Sequence, residues 1–168
     1  MRKILMIIAP RNFRDEELLE PKEIFKNAGF EVVVTSVTAS ICIGMFGARA
    51  KPDRVIDELN AGEFDAVVVV GGAGTPVLKQ YTKVLQILRE AKEQNKVLAA
   101  ICLGPIVLAK AGVLEGKKAT VFSSGASEIK SGGARYVPES VVIDGNLITA
   151  DGPQSAKRFG KAIVSALA

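Results

Sequence analysis

Short, unbroken apolar runs alternate along the chain with longer stretches of helical period. Residues 4–9 (ILMIIA) and 65–70, which end in four valines, carry apolar side chains on both faces, the mark of strands covered on both sides in a parallel sheet. Residues 30–37 and the run VLAAI at 97–101 read as further strands. Between them, residues 15–28 place Leu18, Leu19, Ile24 and Phe25 at helical spacing, with Asp15 as N-cap and Gly29 closing the end. Residues 82–94 bury Val84, Leu85, Ile87 and Leu88, and residues 155–167 turn Phe159, Ile163, Val164 and Leu167 inward. The signal is weaker elsewhere. Residues 10–14 read as a loop, 40–51 as a hairpin-like excursion broken by Gly44 and Gly47, 54–59 as a short helix, and 119–122 as a strand. Residues 124–131 suggest a short helix capped by Gly132 and Gly133. Asp144, Gly145 and Asn146 between two apolar runs form a hairpin signal.

Strands alternating with helices predict an α/β fold: a three-layer, doubly wound, mostly parallel sheet with helices on both faces. No repeat or linker interrupts the alternation, so residues 1–168 are expected to form a single domain. Ligands in such sheets bind outside the carboxyl ends of the strands. Gly71-Gly72 and Cys102 both follow strand ends and are expected to be neighbours.

The second of these junctions carries the candidate chemistry. The apolar run at 97–101 leads directly into Cys102, followed by Leu103, Gly104 and Pro105. A nucleophile elbow requires small residues two positions either side of the nucleophile, because the strand-to-helix turn is too tight for larger ones. Ala100 and Gly104 meet that requirement, and Pro105 suits a first helical turn. A helix N-terminus beside Cys102 is expected to lower its pKa below the free value of about 8.5. Taken alone, a cysteine ending an apolar strand also fits a buried core residue, and Glu17 fits a first-turn acid favoured by the helix dipole. Cys42, near Gly44 and Gly47, reads as a packing residue or subunit contact.

Composition narrows the chemistry further. The chain contains no histidine, which removes Cys-His and Ser-His-Asp catalysis and histidine-ligated zinc. Two cysteines sixty positions apart match neither a disulfide framework nor a metal motif, so no metal and no cofactor is expected. The net charge of +4 is spread along a chain with only 5% aromatic residues, which argues against nucleic acid as a partner. No apolar run approaches the ~20 residues of a membrane span. Residues 4–9 are too short for an export signal, and a cytoplasmic location is expected.

Four motifs together resemble the DJ-1/PfpI superfamily, whose fold is flavodoxin-like and related to class I glutamine amidotransferases. They are RNFRDEELLEP at 11–21, FDAVVVVGG at 64–72, AAICLGP at 99–105 and DGNLITADGP at 144–153. The resemblance implies that Cys102 is the nucleophile, that Glu17 faces it, and that the amides of Gly72 and Leu103 form an oxyanion hole. Gly71, Phe122 and Pro153 are expected to line the substrate pocket. Two departures matter. PfpI-type members resemble one another in a histidine directly after the cysteine, where this chain has Leu103, and the histidine of DJ-1-type members is matched by Phe122.

The resemblance implies glyoxalase-like or deglycase-like chemistry on a small reactive carbonyl compound, through a hemithioacetal on Cys102. An ionised Glu17 would oppose a thiolate, so the useful state has Glu17 neutral and Cys102 ionised. Two alternatives stand beside this one: a non-enzymatic redox sensor using Cys102 oxidation, and an intracellular cysteine peptidase, which the missing histidine disfavours. A homodimer or larger homo-oligomer is also implied, with the first helix as a contact.

Overall fold

The computed structural model describes residues 1–168. Its elements, in chain order, are β1 (Lys3–Ile7), β2 (Arg11–Phe13), α1 (Asp15–Asn27), β3 (Glu31–Ser36), β4 (Cys42–Gly44), β5 (Arg49–Ala50), β6 (Arg54–Val55), β7 (Ala66–Val69), α2 (Thr82–Glu93), β8 (Val97–Ile101), α3 (Gly104–Ala111), β9 (Lys118–Ala119), α4 (Ala126–Ser131), β10 (Arg135–Tyr136), β11 (Val141–Asp144), β12 (Leu147–Ala150) and α5 (Ala156–Leu167). Seven strands form the central sheet in the order β11-β12-β8-β7-β1-β3-β6. All neighbouring pairs run parallel except the β11–β12 hairpin, which turns at Gly145 and Asn146. The expected α/β architecture is present.

Helices cover both faces of this sheet. Alternate residues of the central strands supply the two cores: Leu5, Ile7, Val67 and Val69 pack with Val84, Leu88 and Val107 of α2 and α3. Ile4, Met6, Ala66 and Val68 pack instead with Leu18 and Phe25 of α1 and with Phe159 and Ile163 of α5. This two-sided burial is why β1 and β7 read as unbroken apolar runs.

Several local expectations are corrected. The first part of residues 54–59 is the edge strand β6, and only Ile56–Glu58 turn as a 3-10 helix, because Arg54 and Val55 extend the sheet beside Thr35 and Ser36. Residues 10–14 are not simply a loop, since Arg11–Phe13 pair with β4 in a small separate sheet. Of 119–122, only Ala119 is strand, and it joins Lys118 in a two-stranded sheet with β10. Leu19 is half exposed, because α1 turns Leu18, Pro21 and Phe25 inward, and Val164 is only partly buried. Arg14 rather than Asp15 is the N-cap of α1, and it makes no side-chain cap bond. Asp15 instead accepts the Phe46 and Ala48 amides at 3.0 and 2.8 Å, fastening the β4–β5 excursion to the start of α1.

Candidate active site

The elbow follows from steric limits at the end of β8. Cys102 has φ 61°, a left-handed conformation that is uncommon for a residue with a side chain and costs on the order of 1–3 kcal/mol. Packing on both sides enforces it. A Cβ at Gly104 would lie 2.7 Å from the Val69 carbonyl oxygen and 3.1 Å from the Ala100 Cβ, so the small residues expected there are required. The Cys102 amide donates to the Ala150 carbonyl at 2.9 Å, and its carbonyl accepts the Phe122 amide at 2.8 Å. Cys102 is thus pinned through its backbone, its thiol held at the N-terminus of α3.

Next to β8, the turn after β7 brings Gly71 and Gly72 to the same point. A Cβ at Gly71 would collide with the Ile101 carbonyl oxygen, Glu17 Oε1 and the Cys102 Cβ, which places all three around this glycine. Gly72 has φ +129°, and a side chain there would strike the backbone of Asn12, Phe13 and Arg14. The Gly71 carbonyl accepts the Arg14 amide at 2.7 Å, tying the turn to the start of α1. From the first turn of α1, Glu17 projects inward and is completely buried. Pro21, one turn later, lacks the amide that would bond the Glu17 carbonyl.

Burial governs the electrostatics of the pair. Neither oxygen of the Glu17 carboxyl makes a hydrogen bond of good distance and angle, the Cys102 thiol and the Gly71 backbone being the groups that approach it, and desolvation pushes the group from its ordinary 4.5 up to about 8. The Cys102 thiol and the positive charge of Arg14 pull the other way and are outweighed. A value near 8 leaves Glu17 mostly protonated at neutral pH, the Glu17 half of the expected state; the ionised Cys102 of that state is not favoured.

The expected lowering of the Cys102 pKa is corrected. Burial raises the thiol first, and the charge of Glu17, when present, raises it further, to about 12. The amides of Gly72 and Leu103 act on the sulfur in the opposite direction. Neither donates to another backbone carbonyl, so both are free to serve a negative charge there. Two groups this close titrate as a pair: the first proton leaves near pH 8, and the second is retained until the pH is far higher.

Near the Phe122 and Ala150 backbones that bond Cys102 lies a cavity of about 440 Å³, whose wall includes Thr120, Phe122, Asp151 and Pro153 but not Cys102 itself. Phe122 and Pro153, two of the expected pocket residues, line it. Gly71 does not, because it is packed beneath the elbow with Glu17 and Cys102. Arg14 was not singled out by sequence reasoning, yet it stands beside Gly72. Its guanidinium bonds Glu16 Oε2 at 3.0 and 2.8 Å and covers the Phe46 ring at 4.7 Å. That pairing lowers the Glu16 carboxyl and raises the Arg14 guanidinium. No group of three or more metal-ligating side chains exists in the fold. No helix is long and apolar enough to cross a membrane.

The fold matches that of known proteins. An uncharacterized protein of Methanocaldococcus jannaschii is 44% identical over 98% of this chain and 82% of its own length. Deglycase PfpI of Pyrococcus furiosus is 32% identical over 89% of this chain and 90% of its own. The crystal structure of a ThiJ/PfpI domain protein from Brachyspira murdochii superposes with a TM-score of 0.95 at 36% identity, covering 98% of this chain and 95% of that one. The DJ-1/PfpI family model matches residues 2–166. The chain belongs to the DJ-1/PfpI family.

Proposed function

We propose that the protein is a cysteine-dependent enzyme acting on small reactive carbonyl compounds. The observation that carries this reading is the Glu17 carboxyl, wholly buried and without a well-formed hydrogen bond, set against a cysteine in a strained backbone conformation. A fold keeps such a buried acid and a strained residue together only at a cost to stability, and chemistry at Cys102 accounts for both. Deglycase-named relatives support enzymatic activity in the family.

In the proposed reaction Cys102 Sγ bonds to the aldehyde carbon while the carbon–oxygen π pair moves to oxygen. Glu17 gives its proton to that oxygen and takes the proton leaving sulfur, so the neutral pair becomes a neutral hemithioacetal and a neutral acid. The Gly72 and Leu103 amides hold the charge that develops in transit, an arrangement worth roughly 3 kcal/mol per donor. The absence of histidine leaves Glu17 as the protein's own proton carrier at the elbow. Both cysteines are free, which suits a cytoplasmic protein; the partners this reading names are the carbonyl compound and a second copy of the chain.

Turnover of methylglyoxal by the wild-type protein and by Cys102→Ser tests the reading. Activity lost in the variant is expected. Activity retained in the variant overturns the reading, as does peroxide-dependent mass gain at Cys102 without any turnover, which assigns the thiol to redox sensing instead. Cleavage of casein without carbonyl turnover would assign it to peptidase chemistry.

A further inference from the structure

We propose that a cleft at the amino ends of β8 and β12, at the opposite end of β8 from the elbow, binds a phosphate group, free or esterified to a small molecule. Three lysines converge there from three segments: Lys92 in the last turn of α2, Lys96 just before β8 and Lys117 just before β9. Bonds between the segments hold the cleft in shape. The Leu98 amide donates to the Asn146 carbonyl at 2.9 Å, and the Asn146 side-chain amide donates to the Asn95 carbonyl at 3.0 Å. The Lys118 amide donates to Asp144 Oδ2 at 2.9 Å. The lysines are thus gathered by the fold itself, which reduces the ordering that a ligand must bring about.

Nothing within the fold answers their charge. Five ion pairs form, and none includes Lys92, Lys96 or Lys117. The carbonyls at the end of α2, which a lysine in the last turn could serve, are already taken: those of Glu90, Ala91 and Lys92 accept the amides of Gln94, Lys96 and Asn95. Lys96 and Lys117 are only partly exposed, and like charges in one cleft repel each other more as they are withdrawn from water. Asp144 is the sole acid among the lining residues, so three lysines less one aspartate leave a formal charge of +2. A phosphate monoester carries about −1.5 to −2 at neutral pH, with three strong acceptor oxygens. It matches the wall in both charge and hydrogen bonding, whereas a single carboxylate would answer only half the charge. The cleft has a volume of about 190 Å³, below the ~300–1,000 Å³ of sites that enclose a drug-sized ligand, and fits one phosphate with a small organic group. Leu98 in its floor is four residues from Cys102, roughly 13 Å along the strand at ~3.3 Å per residue. The ligand is therefore distinct from the carbonyl compound at the elbow.

Isothermal titration calorimetry at fixed ionic strength, with inorganic phosphate and with glycerol 3-phosphate as probes, tests the inference. The wild-type protein is expected to bind at least one of the two saturably. The double variant Lys96→Gln/Lys117→Gln should weaken that binding at least tenfold, the lower end of what a lost charged hydrogen bond costs. Affinity should be unchanged in Cys102→Ser and in Lys157→Gln/Lys161→Gln, which removes two exposed lysines of α5 instead. Tighter binding of glycerol 3-phosphate assigns the site to a monoester, and tighter binding of phosphate assigns it to the free ion. No saturable binding of either probe by the wild-type protein overturns the inference, even if the first double variant does not fold. Full affinity in a folded Lys96→Gln/Lys117→Gln overturns it too, as does an equal loss in the α5 variant, which would trace binding to the general positive charge of the chain. Carbonyl turnover is read in none of these arms, so their failure leaves the reading of Cys102 standing.

Discussion

The two cysteines separate what burial does from what chemistry needs. Both are buried, Cys42 completely and Cys102 to 7% exposure, and burial raises the pKa of both. Cys42 sits in the short strand β4, where its thiol donates to the Ser40 carbonyl at 3.6 Å. It faces no acid, and its backbone is unstrained. Cys102 has a left-handed backbone, two free amides at its sulfur and a buried acid beside it. A buried thiol is therefore unremarkable in itself; the partners brought to it by β7 and α1 make the difference.

Replacing each cysteine breaks this comparison most directly. Cys102→Ser is expected to lower carbonyl turnover by about a thousandfold or more, as loss of a nucleophile does, while Cys42→Ala stays within about twofold, both read as kcat/KM. Gly71→Ala strikes the elbow while leaving both cysteines in the sequence. The added methyl would meet Glu17 and the Cys102 Cβ, and it should reduce turnover about a hundredfold and stability by about 1–3 kcal/mol, read from urea unfolding. Glu17→Gln keeps the shape of the acid but removes its titration, and should slow turnover by roughly a hundredfold, the lower range for a lost proton carrier.

The same variant sharpens the comparison through stability. Glu17 keeps its proton in the folded state up to about pH 8 and releases it near 4.5 when unfolded. Between those values the unfolded chain loses a proton that the folded chain holds, so folding becomes less favourable as pH rises through this window. The penalty is complete above pH 8, on the order of 3–5 kcal/mol. Glu17→Gln is accordingly expected to raise the melting temperature at pH 8, with a gain that shrinks toward zero near pH 4. An equal shift at both pH values would show that Glu17 is not held neutral.

What was legible in the sequence was whatever depends on near neighbours. The strands β1, β7 and β8 were readable because both their faces are covered, and the elbow because Ala100 and Gly104 satisfy a fixed local spacing. Residues that meet across the fold were not. Asp15 reads as a helix cap, but its carboxylate is taken by amides more than thirty positions away. Arg54 and Val55 are too short a run to reveal an edge strand. The cavity joins residues 120–123 to 151–154, and no local pattern connects Thr120 with Asp151. The Cys102 pKa was misjudged because the helix N-terminus is a local feature, whereas the burial that outweighs it comes from β7, β12 and α1 together.

The central claim is that Cys102 and Glu17 act as one titrating pair. The rate of iodoacetamide alkylation, mapped by mass to each cysteine between pH 6 and pH 10, tests it most directly. The wild-type protein should show modification of Cys102 rising to a break near pH 8 and then flattening, because the charge left on the pair opposes a second ionisation. In Glu17→Gln the rate should climb past pH 9 without that break, since no charged acid stands beside the sulfur. Matching profiles for the two proteins, or modification confined to Cys42, would contradict the account.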